Sequence, residues 1–525
     1  MINQKDRIHF LDSCSRFGNV FVGRQNGFDV YAQAELEKSE EAQPVVSVDL
    51  SGQLRWLAIS CEGLSLFVAT FKDGATDISF YDVRSLVNGG RAPFARQTPP
   101  PSPGNKNVIS AAWNPAMCEF ITVIFANGAI QVMKVNDKSD VIETRPPLGA
   151  CCVAWSPKGK QMVIGKEDGS MSQFTHTPLI EKKKITSCPL LTEKAKVADV
   201  QWLSTYIFLV NYEGLDGNSP PNIYTVHLPE KGQTRDPIWR QFEDPTYAGD
   251  ILRRGQVYFP YIVPWNAAMI LSSNSGDGAL LGKIGAKEHK IWNMADHLRC
   301  ELPVEDGADG NCPCVIGATW NYNSKRSIAI DDKTIPSSPS LLILSNGGIL
   351  AKFELFNAMP DFPSMAQALD RVPSGERPAL AIQKTNIEDS KPKPRTSLQK
   401  THSLFPQSTP KPTPIATPAT PATFIKPPIA QSTPAPALGQ TFGSFSETVS
   451  NDSTNIFSKT KTLESTVTHS RNPSHEIVTK PPRPAAIVTK APQATQPVAT
   501  TSGKLTKRDL IDLGKSKGLL TLTQI

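Results

Sequence analysis

Short runs in which apolar and polar positions alternate fill the first 360 residues, and turn residues separate them at regular intervals. The cleanest stretch is 108–135, VISAAWNPAMCEFITVIFANGAIQVMKV. Its period of two predicts strands, because successive side chains on an extended backbone face opposite ways. It reads as strand, Trp-Asn-Pro turn, second strand, Asn127-Gly128 turn and third strand. Asn-Gly between two β-prone runs predicts a type I′ hairpin, which needs φ > 0 at both central residues.

The same order recurs. Asn26-Gly27 and Asp73-Gly74 each sit between two such runs. CCVAWSPKGKQMVIGKEDGSMSQF at 151–174 repeats the Trp-turn-strand-hairpin order around Asp168-Gly169. Looser copies carry Asp216-Gly217, Asp277-Gly278 and Asn346-Gly347, so seven Asn-Gly or Asp-Gly turns mark seven copies. Each copy is too short to bury a core alone, and stacking the copies radially buries their faces and protects their edges. The expectation is an all-β fold, a seven-bladed β-propeller over 1–360. An array of β-sandwich domains would also give short strands, but it does not explain the recurring order.

Composition changes downstream. Nearly half of the 45 prolines lie after residue 360, and basic residues outnumber acidic ones there by about 20 to 11, against about 35 to 38 in the body. The net charge of +6 is thus a basic tail on a slightly acidic body. Such a body offers no net attraction for a polyphosphate, so direct nucleic-acid binding is not expected of it. Residues 386–500, rich in Pro, Thr, Ser and Lys, carry too few large apolar side chains to offset ordering entropy and are expected to form a long disordered tail. In it Thr409, Thr413, Thr417, Thr420 and Thr433 each precede Pro and are candidate sites for proline-directed phosphorylation. Residues 501–525 form a short end segment in which Gly514 and Gly518 interrupt any long helix.

The polar start MINQKDRIHFLDS has no apolar core of a signal peptide, and no run approaches the length of a membrane span, so no membrane insertion is expected. Nine scattered cysteines read as reduced thiols. Cys151 and Cys152 are expected on opposite faces of one strand, with at most one in the core. Lys182-Lys183-Lys184 reads as a solvated loop between blades.

No motif advertises catalysis, a metal or a cofactor. SGDGALLGKI lacks the first Gly and the final Ser or Thr of a phosphate-binding loop, and there is no nucleophile elbow or His-Glu-x-x-His pattern. His289, His297, Cys300, Cys312 and Cys314 fit no paired zinc-knuckle spacing. Chemistry on converging groups around the channel is the enzymatic alternative. A generic WD-type scaffold is the other, though regular Trp-Asp and Gly-His blade signatures are missing. The acidic stretch ELPVEDGAD at 301–309, and Asp331-Asp332-Lys333 inside the seventh copy, lie in connections, where propellers meet partners.

Several irregular strings carry a resemblance. ELPVEDGADG with DDKTIPSSPSLLILSNGGIL, VADVQWLSTYIFLVNYEG and GERP at 375–378 resemble the large cytoplasmic-filament nucleoporin of the nuclear pore complex, and the similarity covers most of 1–380. The resemblance implies a non-enzymatic docking scaffold at the cytoplasmic face. Its partners would be other nucleoporins and the N-terminal RecA-like lobe of the DEAD-box mRNA-export helicase, bound in competition with RNA. By position it nominates Asp306, Asp309, Asn321, Asp331, Asp332 and Lys333 as partner contacts. It also implies that a basic extension within 361–385 folds back along an acidic face of the propeller. The coiled coil and Phe-Gly repeats of long family members are not evident in the sequence.

Overall fold

The computed structural model describes residues 7–39, 42–100, 103–217, 220–242, 245–246, 255–284, 288–292, 299–303, 313–324, 327–330, 333–335, 339–357, 364–380 and 520–524. They fall in one of two units of the chain, 1–385 with 502–525.

Seven antiparallel sheets follow one another in sequence. Blade 1 comprises Leu11–Cys14, Asn19–Arg24, Gly27–Ala32 and Val46–Asp49. Blade 2 comprises Gln53–Ile59, Ser65–Lys72, Ala75–Asp82 and Ala95–Gln97. Blade 3 runs Val108–Trp113, Phe120–Phe125, Ile130–Val135 and Ser139–Arg145, and blade 4 runs Ala150–Trp155, Met162–Lys166, Met171–Phe174 and Glu181–Ile185. Blade 5 holds Ala195–Ser204, Ile207–Gly214, Asn222–His227 and Ile238–Phe242. Blade 6 is the most irregular: its inner edge is split into Val257–Tyr258 and Tyr261–Ile262, both paired with Ala267–Ser272. Asp277–Ile284 comes next, with Glu288–Trp292 and Cys300–Glu301 sharing its outer side. Blade 7 holds Val315–Asn321, Ser340–Ser345 and Leu350–Asn357, with Leu520–Gln524 as its fourth strand.

The tryptophans recur for a reason that periodicity alone does not give. Trp113 Nε1 donates to the Ala58 carbonyl of blade 2 at 2.9 Å, and Trp155 Nε1 donates to Ala112 of blade 3 at 3.0 Å. These two rings, each at the end of an inner strand, tie their blades to the preceding ones, whereas Trp202 of blade 5 donates within its own blade, to Ser204 O at 2.6 Å. Because each inner strand is covered by neighbouring blades on both sides, all six residues of Ala150–Trp155 are buried. Cys151 and Cys152 are therefore both in the core, at 7% and 3% exposure, against the expectation of one inside and one out. Alternation signals a half-exposed sheet, and here no face of the inner strand is exposed.

The turns differ in detail from the type I′ expectation. Only Asp73-Gly74 has positive φ at both residues, 50° and 80°. At 127–128 only Gly128 is left-handed, with φ 78°. The Gly128 amide donates to Phe125 O and the Phe125 amide to Ala129 O, which is a three-residue loop closed by a glycine bulge. Asp168-Gly169 repeats it, and at Asn346-Gly347 the left-handed residue is Gly348. Asp277-Gly278 is no turn: Gly278 pairs with Leu271 inside the ladder. Lys182, Lys183 and Lys184 are not in a loop but on the outer strand of blade 4, where exposed lysines discourage edge pairing by another chain.

Residues 7–10 lock the ring. His9 makes a parallel bridge to Trp56 of blade 2 and stacks on its indole at 5.2 Å. The Phe10 amide donates to Ile316 O of blade 7 at 3.0 Å. Thr319 Oγ1 donates to Asp12 Oδ1 at 3.0 Å, and Ser13 Oγ to Trp320 O at 3.0 Å, sealing blades 1 and 7.

Candidate partner-docking face

Strand direction alternates within a blade, so the loops after the first and third strands share one face of the disc. Residues 364–380 cross that face from blade 7 to blade 2 without forming a helix or strand. The Gln367 amide donates to Tyr322 O at 2.7 Å, the Asp370 amide to Arg16 O at 2.8 Å, and the Leu380 amide to Pro93 O at 2.9 Å. Arg16 Nε also reaches Asp370 Oδ2 at 2.7 Å, an exposed pair of small energetic weight. Leu369 packs over Gly18, where a Cβ would sit 2.7 Å from Leu369 Cδ2. Val372 and Met365 pack against the cores under blades 1 and 7.

Arg377 is the anchor. Its amide donates to Asp82 Oδ2 at 3.0 Å, and its Nη1 donates to Ser65 Oγ at 3.1 Å and to Leu64 O at 3.4 Å. The guanidinium lies 4.5 Å from the centroid of the Phe94 ring, a cation–π contact. Asp82 caps the short helix Val83–Val87 through the Arg84 amide and is clasped by the Arg84 side chain. Burial opposes its charge, but hydrogen bonds from the Arg84 side chain and the Arg377 amide outweigh burial and hold its pKa below the usual carboxylate range. Residues 366–380 contain Asp370, Arg371, Glu376 and Arg377, so the expected basic extension is electrically balanced and held by specific pairs instead.

The nominated contact residues divide between the two ends of one strand. Asp306 and Asp309 lie outside the described residues, in a segment that rejoins the structure at Pro313, before the start of Val315–Asn321. Beyond the other end, a separate two-stranded hairpin pairs Ile328–Ile330 with Lys333–Ile335. Asp331 and Asp332 fall between the paired Ile330 and Lys333, outside the described residues. This hairpin is inserted after the first strand of blade 7, as are the Tyr322 and Asn323 contacts of the crossing segment. Asn321 is fully buried; its Oδ1 accepts from the Asn323 amide at 2.9 Å, so it shapes the turn and offers a partner no surface. The Thr-Pro positions 409 to 433 also lie outside the described residues.

Asp82 and Phe94 had no sequence signal: Asp82 meets a partner 295 residues away. The channel holds a cavity of about 200 Å³ lined by Arg7, His9, Asp199, Gln256 and Tyr258, among others. Its ionisable groups are engaged in gripping the first described residues. Asp199 takes Arg7, the Asn211 Nδ2 at 3.0 Å and the Val257 amide at 2.9 Å. Gln256 brackets Ile8, donating to its carbonyl at 2.9 Å and accepting from its amide at 3.0 Å. No group of three metal-ligating side chains occurs among the described residues, and no helix there is long and apolar enough to cross a membrane.

The described residues thus form a seven-bladed ring with the segment 364–380 fixed across one face. The family model for the NUP159/214 beta propeller matches residues 22–350, and the chain belongs to that family, nucleoporins with an N-terminal β-propeller. It is 30% identical over 396 residues to the nuclear pore complex protein Nup214 of Homo sapiens, covering 71% of this chain and 19% of that one. Against Nup214 of Drosophila melanogaster it is 25% identical over 368 residues, 68% of this chain and 21% of the relative. Against the nucleoporin NUP159 of Chaetomium thermophilum it is 23% identical over 387 residues, 64% and 25%. The chain thus matches about a fifth to a quarter of the length of these relatives.

Proposed function

We propose that this propeller is a docking platform at the cytoplasmic face of the nuclear pore complex, binding the N-terminal RecA-like lobe of a DEAD-box mRNA-export helicase in competition with RNA. Family membership supports the pore assignment. The observation that carries the finer reading is the hairpin on blade 7, a two-stranded element outside the four-stranded blade with Asp-Asp between its paired strands. An Asp-Asp pair at this point of the sequence suits a basic RNA-binding lobe and would steer its approach. The strap at 364–380 meets the same blade through Tyr322 and Asn323, so its occupancy controls access to that side.

The test is binding of the full chain to the helicase of the same organism, with and without single-stranded RNA. Salt-sensitive binding that RNA displaces is expected, weakened at least about tenfold by Asp331→Lys with Asp332→Lys while the melt stays unchanged. Binding insensitive to both salt and RNA would sink the mechanism.

A further inference from the structure

Blade 7 completes its sheet unlike the others. In blades 1 to 5 the fourth strand follows the third after a local connection. In blade 7 the third strand ends at Asn357, and the next described residues, 364–380, cross the face instead. The outer side of Leu350–Asn357 is occupied by Leu520–Gln524, antiparallel, with Phe353 opposite Gln524, Leu355 opposite Leu522 and Asn357 opposite Leu520.

The composition of the third strand shows that it requires a neighbour. LAKFELFN is mostly apolar, and Phe353, Leu355 and Phe356 are buried. Strands that end a sheet here look different: SDVIETR in blade 3, EKKKI in blade 4 and IWRQF in blade 5 carry exposed charges that blunt an edge, whereas in Leu350–Asn357 Glu354 is fully buried and Lys352 is paired with it at 3.1 Å. Left bare, Leu350–Asn357 would present a row of unpaired backbone groups on an apolar strand, which is the geometry that captures extended peptides. The occupant suits that geometry. LTLTQ is uncharged, alternates aliphatic with β-branched residues, and contains no Pro or Gly.

We propose that the outer edge of Leu350–Asn357 is a strand-acceptor site for an uncharged, alternating aliphatic and β-branched peptide, with Leu520–Gln524 of the same chain as its resident, exchangeable occupant. Roughly 160 residues separate the two strands. A tether of that length presents its segment at an effective concentration on the order of a millimolar. Five residues of ladder held that loosely give way to the same pattern supplied at higher concentration, or to a longer strand that makes more backbone hydrogen bonds.

Hydrogen exchange on the full chain tests this. Thr523→Pro removes the ladder donor opposite Glu354, whose amide faces outward because the Leu355 amide donates inward to Pro339 O, and is expected to speed exchange of the outward amides of Leu350–Asn357 at least about tenfold, leaving those paired to Ser340–Ser345 unchanged. A synthetic peptide, KSKGLLTLTQI, at millimolar concentration should restore their protection, and a copy with Pro in place of the second Thr of LTLTQ should not. A labelled form of the first peptide should bind the unaltered chain too, at least about tenfold more weakly than the variant, since it must displace the resident strand. Unchanged exchange in the variant overturns the pairing. Failure of the peptide to protect the variant, or to bind the unaltered chain at millimolar concentration, overturns the acceptor site.

Discussion

The backbone amide of Arg377 donates to the carboxylate of Asp82 at 3.0 Å, joining the segment after the propeller to the end of the third strand of blade 2. The Asp82 side chain is 1% exposed and that of Arg377 10%, so the contact is shielded from water in a way the exposed Arg16–Asp370 pair is not.

Removing the anchor should free the strap and spare the ring. Arg377→Ala deletes a charge-assisted contact, two further hydrogen bonds and the Phe94 cation–π contact, together worth about 2 kcal/mol of local stability. Exchange at 366–380 should accelerate by roughly thirtyfold while the melting temperature moves by little. Arg377→Lys should rescue only part, because an ammonium cannot reproduce the planar contacts. A melt lowered as much as strap protection would mean that the segment is part of the propeller core.

Acid should release the same strap. The folded pKa of Asp82 is depressed, so its contribution is fully present above the ordinary carboxylate pKa of about 4 and is lost as pH falls through the lowered folded value. The difference in strap exchange between the unaltered chain and Asp82→Asn should therefore be flat from pH 7 to about 5 and shrink below about 4. A difference that vanishes between pH 7 and 5 would point to another group.

His289 should make the melt acid-sensitive in a different window. Burial, helped by His227, Lys283 and Arg240, lowers its pKa from 6.5 to about 4, and its ring nitrogens have no hydrogen-bond partner among the described residues. Below pH 6.5 the unfolded chain takes up a proton that the folded chain refuses, so stability falls by up to about 1.4 kcal/mol per pH unit until about pH 4. His289→Phe should reduce the slope of melting temperature against pH across that interval without abolishing it, because burial lowers the pKa of His9, His176 and His227 as well. An unchanged slope would locate the sensitivity elsewhere.

The two tryptophans Trp155 and Trp320 should respond unequally to Phe. Trp155 loses its bond to Ala112 O, whereas Trp320 Nε1 has no partner among the described residues. Trp155→Phe should cost about 1 kcal/mol more than Trp320→Phe in denaturant unfolding. Equal losses would mean that the recurring indole serves only to fill space.

The blade count, the all-β class and the family resemblance were legible because each rests on local patterns. Period-two alternation, Trp-turn-strand order and Gly-bearing turns are imposed within some thirty residues at a time. The finer turn geometry was not, since Gly128 and Gly348 each close a three-residue loop whose length depends on strand register. Nor was the burial of both Cys151 and Cys152, because radial stacking covers both faces of a strand that would be half exposed in an isolated sheet.

The sequence by itself determined that there are seven copies and that blades 5 to 7 depart most from the regular pattern. Only the tertiary structure decided what those departures do. It buried Asn321 in a turn, paired Ile328–Ile330 with Lys333–Ile335, paired Arg377 with Asp82, and closed blade 7 with Leu520–Gln524. The physical reason is separation along the chain. A hairpin is specified by neighbours a few residues apart, whereas a strap on a face or a strand on an edge depends on surfaces that exist only once the ring has formed.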